Sequence, residues 1–204
     1  MRIVVAMFVL AAGLSGCGFT REAPLPVTYR LSAPTLAAGD TLPFELSLPL
    51  PVPAPGLAGE RIAAVYPDRR LDYFAGARWG ADLPIVVQSL LVDALRNSGR
   101  LRAVQGEGSP FTVTHVLQVE VLRFEASYAG KGPPTVQVAL AATLGRRQGR
   151  AVIASYSASA AVPATADRLG AIAAAFEQAF GQAATELSAR TLESLEAEQK
   201  ALPR

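Results

Sequence analysis

His115 and Cys17 are the only histidine and the only cysteine of this 204-residue chain, so they bound the acid–base and nucleophilic chemistry open to it. A serine or cysteine nucleophile generally needs a base within hydrogen-bond reach. His115 lies in "VTHVLQVEV", where strict alternation puts Val113, His115, Leu117, Val119 and Val121 on one face and Thr112, Thr114, Gln118 and Glu120 on the other. A histidine on the apolar face of a strand is read as a satisfied or rim-facing side chain, not a catalytic base. No G-x-S-x-G elbow or GK[ST] loop occurs, one His with one Cys makes no zinc set, and "GLAGE" and "GEGSP" read as plain turns. The expectation is a protein that is not an enzyme and needs no cofactor, with a periplasmic hydrolase as a distant alternative.

Cys17 has a different context. Met1-Arg2 is followed by an uncharged run from Ile3 to Leu14 that ends in small residues, which is the pattern of an export signal. About 20 apolar residues are needed to span a bilayer, and this run is shorter. Leu14-Ser15-Gly16-Cys17 resembles the bacterial lipobox, in which cleavage between Gly16 and Cys17 leaves the cysteine as an acylated N-terminus. Two or more acyl chains hold a protein on a membrane almost permanently. Residues 1–16 are therefore expected to be the signal peptide and 17–26 a lipidated tether, with covalent acyl chains on Cys17. Gly18, in place of an Asp, resembles the outer-membrane sorting class. The protein is expected to be anchored there, facing the periplasm.

Nineteen Lys and Arg against 17 Asp and Glu give a formal charge of +2, with no basic cluster beyond Arg69-Arg70 and Arg146-Arg147. That is no electrostatic footprint for nucleic acid. Residues 27–204 suit one domain with one core.

The elements that must carry these residues follow from period and punctuation. Strands are expected at Val27–Leu31, Thr41–Val52, Arg61–Tyr66, Arg70–Phe74, Leu101–Val104, Phe111–Ala126, Thr135–Leu144 and Ala151–Ala160. "PLPVPAPGLAG" interrupts them as an extended edge or loop, and "GRRQGR" tips a hairpin. Past Val121 the apolar positions become Leu122 and Phe124, and such a change of parity requires a bulge or sharp twist near Val121. One helix starts at Asp82-Leu83-Pro84 and ends at Ser98-Gly99; a second, long and alanine-rich, covers about Thr165–Glu196. The order predicts an α+β, two-layer sandwich: a mixed, mostly antiparallel sheet with two helices on one face.

Tyr73, Phe74 and Trp79 precede the first helix, flanked by Arg69, Arg70 and Arg78. Aromatics at such a junction plug the end of a core, or, if exposed, serve as partner-binding hot spots. Asp167, Arg168, Glu177 and Glu186 are expected to be solvated.

"TYRL", "PVPAPGLAGERI", "LDYFAGARWGADLP", "VEVLRFEA" and "VQVALAATL" together resemble the ABC-type transport auxiliary lipoprotein family, of the paraquat-inducible PqiC type. Asp82 stands where the family has Glu. The resemblance covers nearly the whole chain. It implies a non-catalytic accessory of a system moving lipids between the bacterial membranes, with an MCE-domain protein and an ABC transporter permease and ATPase as partners and homo-oligomerisation open. A structural envelope lipoprotein with an unrelated docking role is the alternative.

Overall fold

The computed structural model of the chain describes residues 25–108 and 111–201. Its elements run β1 (Val27–Tyr29), β2 (Leu42–Ser47), β3 (Val52–Pro53), β4 (Arg61–Val65), β5 (Leu71–Trp79), α1 (Leu83–Asn97), β6 (Leu101–Gln105), β7 (His115–Ser127), β8 (Thr135–Arg146), β9 (Val152–Pro163) and α2 (Leu169–Ala201). All the strands join one mixed sheet that does not close into a barrel.

β7 is the spine. On one side it pairs antiparallel with β8 from His115 to Ser127, and β8 pairs antiparallel with β9. Along its other side run three strands in succession, all parallel to it: β2 at His115–Val116, β3 at Glu120–Val121 and β4 at Glu125–Ser127. The chain from Leu42 to Val65 is thus one companion laid beside β7. Pro49, Pro51 and Pro53 lack the N–H a ladder needs, which reduces its middle to β3 and the Ala54 N–H donated to the Val121 carbonyl. β6 flanks β2 in parallel, β5 flanks β4 antiparallel, and β1 lies parallel to β5. The long ladders are antiparallel, as expected. The short parallel pairings leave no local trace in sequence, because both partners show the same alternation whichever way they run.

The parity change is a bulge. β7 pairs Val121 with Leu140 and Arg123 with Ala139, leaving Leu122 unmatched. Leu122 is 46% exposed, while Val119 and Phe124 on either side are both buried. One extra residue lets the same strand keep its apolar side inward past the point where β3 gives way to β4. The strand itself starts at His115 and not at Phe111, which is exposed.

The core lies on one face of the sheet, beneath α1 and α2. Leu117, Val119, Val121 and Phe124 of β7 and Val136, Val138, Leu140 and Leu144 of β8 meet Val87, Leu91 and Leu95 of α1 and Phe176, Phe180, Leu187 and Leu195 of α2. Ala175, Ala179 and Ala183 on α2 are fully or almost fully buried, and their small side chains bring the helix close to the sheet. Asp82 holds the N-cap position of α1, but its carboxylate makes no cap bond; its carbonyl accepts the N–H groups of Ile85 and Val86. Gly99, at φ 66°, turns the chain out of the helix where a side chain would be strained. Among the described residues no helix is long and apolar enough to cross a membrane.

Candidate functional site

Gly16 and Cys17 lie outside the described residues. Of the three aromatics at the α1 junction, β5 delivers each to a different place. Trp79 is 1% exposed. Its ring stands edge-on to Phe124 at 5.7 Å and to Phe176 at 5.1 Å, and those two phenyl rings stack at 5.2 Å. The Trp79 backbone N–H donates to the Glu60 carbonyl. This indole joins α2, β7 and the entry to α1, and burial rules it out as a contact with a partner: the expectation of a three-residue docking set reduces to Tyr73 and Phe74.

Those two are half-buried, packed against the core on one side and open to solvent on the other, because β5 is longer than its partner. Ala63 of β4 pairs with Tyr73 and Arg61 with Arg78, so Phe74 to Gly76 bulge out of the β4 ladder, with Gly76 at φ 68° making the turn, before Ala77 returns to the core opposite Val27. Tyr73 is half-buried and fixed in place. Its hydroxyl donates to the Gly56 carbonyl at 2.9 Å, its N–H donates to the Asp72 carboxylate at 2.8 Å, and the Arg61 guanidinium sits 3.6 Å above its ring. An open depression of about 380 Å³ is bordered by Pro26, Arg61, Tyr73, Phe74 and Gly76. On the other side of β1 a second groove, of about 390 Å³, runs between Tyr29–Leu31 and the Ile85, Val86 and Leu90 positions of α1. Arg78, between the two, pairs with Glu60 at 3.1 Å and donates to the Thr28 hydroxyl.

A second constellation has almost no local signature in the sequence. His115 is 2% exposed, and its Nε2 lies 2.8 Å from Oε2 of Glu198, near the C-terminal end of α2. Its Nδ1 lies 2.8 Å from the Thr114 hydroxyl, and the ring meets Phe44 edge-on at 4.6 Å. The other Glu198 oxygen accepts from Arg146 of β8, with Nε at 2.8 Å. The order hydroxyl, imidazole, carboxylate has the look of a charge-relay triad. The Thr114 oxygen is committed elsewhere, however: it accepts the Glu45 N–H at 3.0 Å and stands 3.0 Å from the Glu45 carbonyl, splicing the entry of β7 to β2. A hydroxyl held between two backbone groups is not poised to attack, and the cluster reads as a clasp of α2 onto the sheet. Its one sequence signal was the polar residue at an apolar strand position; Glu198 and Arg146 carried none.

Among the expected solvated charges, Asp167 accepts the Tyr128 hydroxyl proton at 2.7 Å and Glu186 pairs with Arg190 at 2.8 Å. Glu177 accepts the Ser32 N–H with both oxygens, at 3.0 and 3.1 Å, tying the segment after β1 to α2. Burial raises the Tyr128 phenol well above its ordinary range, and the hydrogen bond and charge of Asp167 raise it further.

A family model described as "ABC-type transport auxiliary lipoprotein component" matches residues 29–188. The fold is similar to a crystal structure of a Xanthomonas campestris protein, at 27% identity and TM-score 0.79, covering 85% of this chain and 99% of that one. It is also similar to an uncharacterised protein at 15% identity and TM-score 0.64, covering 82% and 99% of the two chains. A hypothetical protein from Chlamydia trachomatis shares the fold at 11% identity and TM-score 0.53, covering 76% and 99%. No curated protein matches the chain.

Proposed function

The chain belongs to the family of ABC-type transport auxiliary lipoprotein components, and on that premise we propose that it is a tethered, non-catalytic docking component of a system that moves lipid between the two bacterial membranes. The observation that carries this reading is the family match, which spans the fold from β1 to the middle of α2. Residues 1–16 are removed on export, Cys17 is acylated, and residues 17–26 tether the domain to the outer membrane on its periplasmic side. Its partners are an MCE-domain protein and, through it, the permease and ATPase.

Tyr73 and Phe74 supply the contact. Tyr73 is held at hydroxyl, backbone and ring face before any partner arrives. Ordering an interface side chain costs about 0.5–1.5 kcal/mol on binding, and a ring already fixed avoids most of that. The tether adds to this, since confinement to one membrane raises the effective concentration of the domain at its partner without any new contact. Chemistry is not required of it.

Two measurements test the proposal. Mass spectrometry of the membrane-extracted protein should find an N-terminal peptide beginning at acylated Cys17; an intact Met1 or a free Cys17 thiol sinks the tether. Affinity purification of the lipoprotein from solubilised envelopes should recover an MCE-domain protein, and its consistent absence counts against the transport role.

A further inference from the structure

β1 enters the sheet in a defined direction. It is parallel to β5 with Val27 opposite Ala77, so its first residue is the one nearer Leu71, and Pro26 before it borders Asp72 to Arg78. At that end lie the β4–β5 turn (residues 66–70), the loop after β7 that begins at Tyr128, the end of β9 and the start of α2, because Val65 of β4 pairs with Ser127 and Thr135 pairs with Pro163. The hairpin tip of Arg146 to Arg150 is at the opposite end.

The chemistry at the tether end is basic and aromatic. Tyr66 and Tyr128 stack at 5.2 Å with 7° between their planes, and the Arg70 guanidinium lies 4.8 Å from the Tyr66 ring centre. Arg69, Arg70, Lys131 and Arg168 are all exposed. Arg69 is held at φ 65°, a left-handed conformation unusual for a non-glycine residue, which fixes where the turn presents its side chains. Three acids share this end and each accepts a local hydrogen bond, Asp68 from the Arg70 N–H, Asp72 from the Tyr73 N–H and Asp167 from the Tyr128 hydroxyl, so four cations stand against three carboxylates. Among the described residues none of the four cations is in an ion pair, whereas Arg78, Arg96, Arg100, Arg102, Arg123, Arg146 and Arg190 each face a carboxylate.

Reach decides what this end meets. Nine residues lie between Cys17 and Val27. Ten residue steps correspond to a random-coil span of roughly 18 Å and to at most about 35 Å when fully extended. β5 from Leu71 to Arg78 lies opposite β4 from Val65 to Arg61, so from Ala77 back to Leu71 it covers no more than about 14 Å in the same direction. A tether of this length therefore allows the turn at residues 66–70 to reach the membrane surface, within or against a headgroup layer about 5–8 Å thick, and leaves it to the side chains of that turn to hold it there.

We propose that the end of the domain formed by Tyr66–Arg70, Tyr128–Lys131 and Arg168 is a second membrane-binding site that seats on the anionic phosphates of the phospholipid surface carrying the anchor. Arginine suits phosphate through paired N–H donors, and tyrosines suit the boundary between apolar and wet layers. This rests on the acylation of Cys17 proposed above. The opposite end also exposes Arg147 and Arg150, so charge alone does not choose between ends; the direction in which β1 enters the sheet does.

The test uses the mature lipoprotein reconstituted into vesicles of phosphatidylethanolamine and phosphatidylglycerol. Acylated Cys17 has no free thiol, so a cysteine introduced by Ala129→Cys at the tether end or Ala151→Cys at the far end can be labelled singly with a fluorophore. A quencher attached to lipid headgroups should quench the label at 129 and leave the label at 151 nearly unaffected. Each cation at an anionic surface is worth a factor of about five in local partitioning, so Arg69→Glu with Arg70→Glu should reduce the quenching at 129 by well over fivefold, whereas Arg147→Glu with Arg150→Glu should not change it. Equal quenching at both ends, or none at 129 in protein whose N-terminal peptide is acylated, overturns the proposal alone. An unacylated peptide overturns the tether and this proposal with it.

Discussion

His115 and Glu198, 83 residues apart in sequence, face each other at 2.8 Å with side chains 3% and 7% exposed. The pair fastens the end of α2 to the start of β7, and Arg146 on β8 closes the clasp from the solvent side. Removing one member of a buried hydrogen-bonded pair leaves the other unsatisfied, and such losses cost about 1–3 kcal/mol. Glu198→Leu should therefore lower the urea midpoint sharply. The double variant His115→Phe with Glu198→Leu should recover much of that loss, because no buried polar group is left alone. A double variant as unstable as the sum of its singles would show that the two residues do not act as a unit.

Phe176 is the middle of the aromatic stack that Trp79 caps. Phe176→Ala should cost about 3–5 kcal/mol. Trp79, the chain's single tryptophan, reports directly: its emission should shift to the red on unfolding and the midpoint should move to lower denaturant in the variant. A change within error of zero would contradict the packing described for this junction.

The bulge can be removed at one position. Leu122 is 46% exposed, so Leu122→Ser should change stability by no more than about 0.5 kcal/mol, as for other surface substitutions. Deleting Leu122 should also leave a folded protein, because Val121, Arg123 and Phe124 then alternate inward, outward and inward opposite Leu140, Ala139 and Val138, and no side chain exchanges faces. Circular dichroism of the two purified variants decides it, and an unfolded deletion variant would contradict the reading of Leu122 as the extra residue of a bulge.

The same strand shows what was legible in the sequence. Alternation from Val113 to Val121 and its reversal at Leu122–Phe124 are local signals, so inward face, bulge and buried Phe124 could all be read there. So could α1, from Pro84 in its first turn to Ser98-Gly99 at its end. The parallel companions of β7 could not, since Leu46 beside His115 or Val52 beside Glu120 is a long-range choice that neither segment records. Trp79 was ambiguous for a related reason: its type fits both core and contact, and only Phe176, nearly a hundred residues on, settles it as core. Glu198 looked like any helix-surface glutamate until the fold brought His115 to it.

Alkaline pH probes the far end of α2. Tyr156 donates to the Thr191 hydroxyl at 2.6 Å, and burial pushes its phenol up from the ordinary value near 10 to about 12, the Thr191 contact offsetting part of the rise. The folded state thus keeps a proton that the unfolded state gives up. Stability from this source is complete below pH 10 and falls as pH rises from 10 through 12. Tyr128, also raised, adds to the same fall. Tyr156→Phe should flatten the decline of the unfolding free energy between pH 10 and 12, and an unchanged slope would contradict a buried, proton-retaining phenol.

The central claim, a tethered domain that docks in a lipid-transport assembly, is tested most directly by site-specific photocrosslinking in intact cells. A photoreactive residue in place of Phe74, on the surface beside the tether, should capture an MCE-domain protein of an ABC transport system. The same residue at Gln182, on the solvent side of α2, should not. Failure of the Phe74 position to capture any such protein, together with unchanged lipid traffic in cells lacking the gene, would contradict the claim.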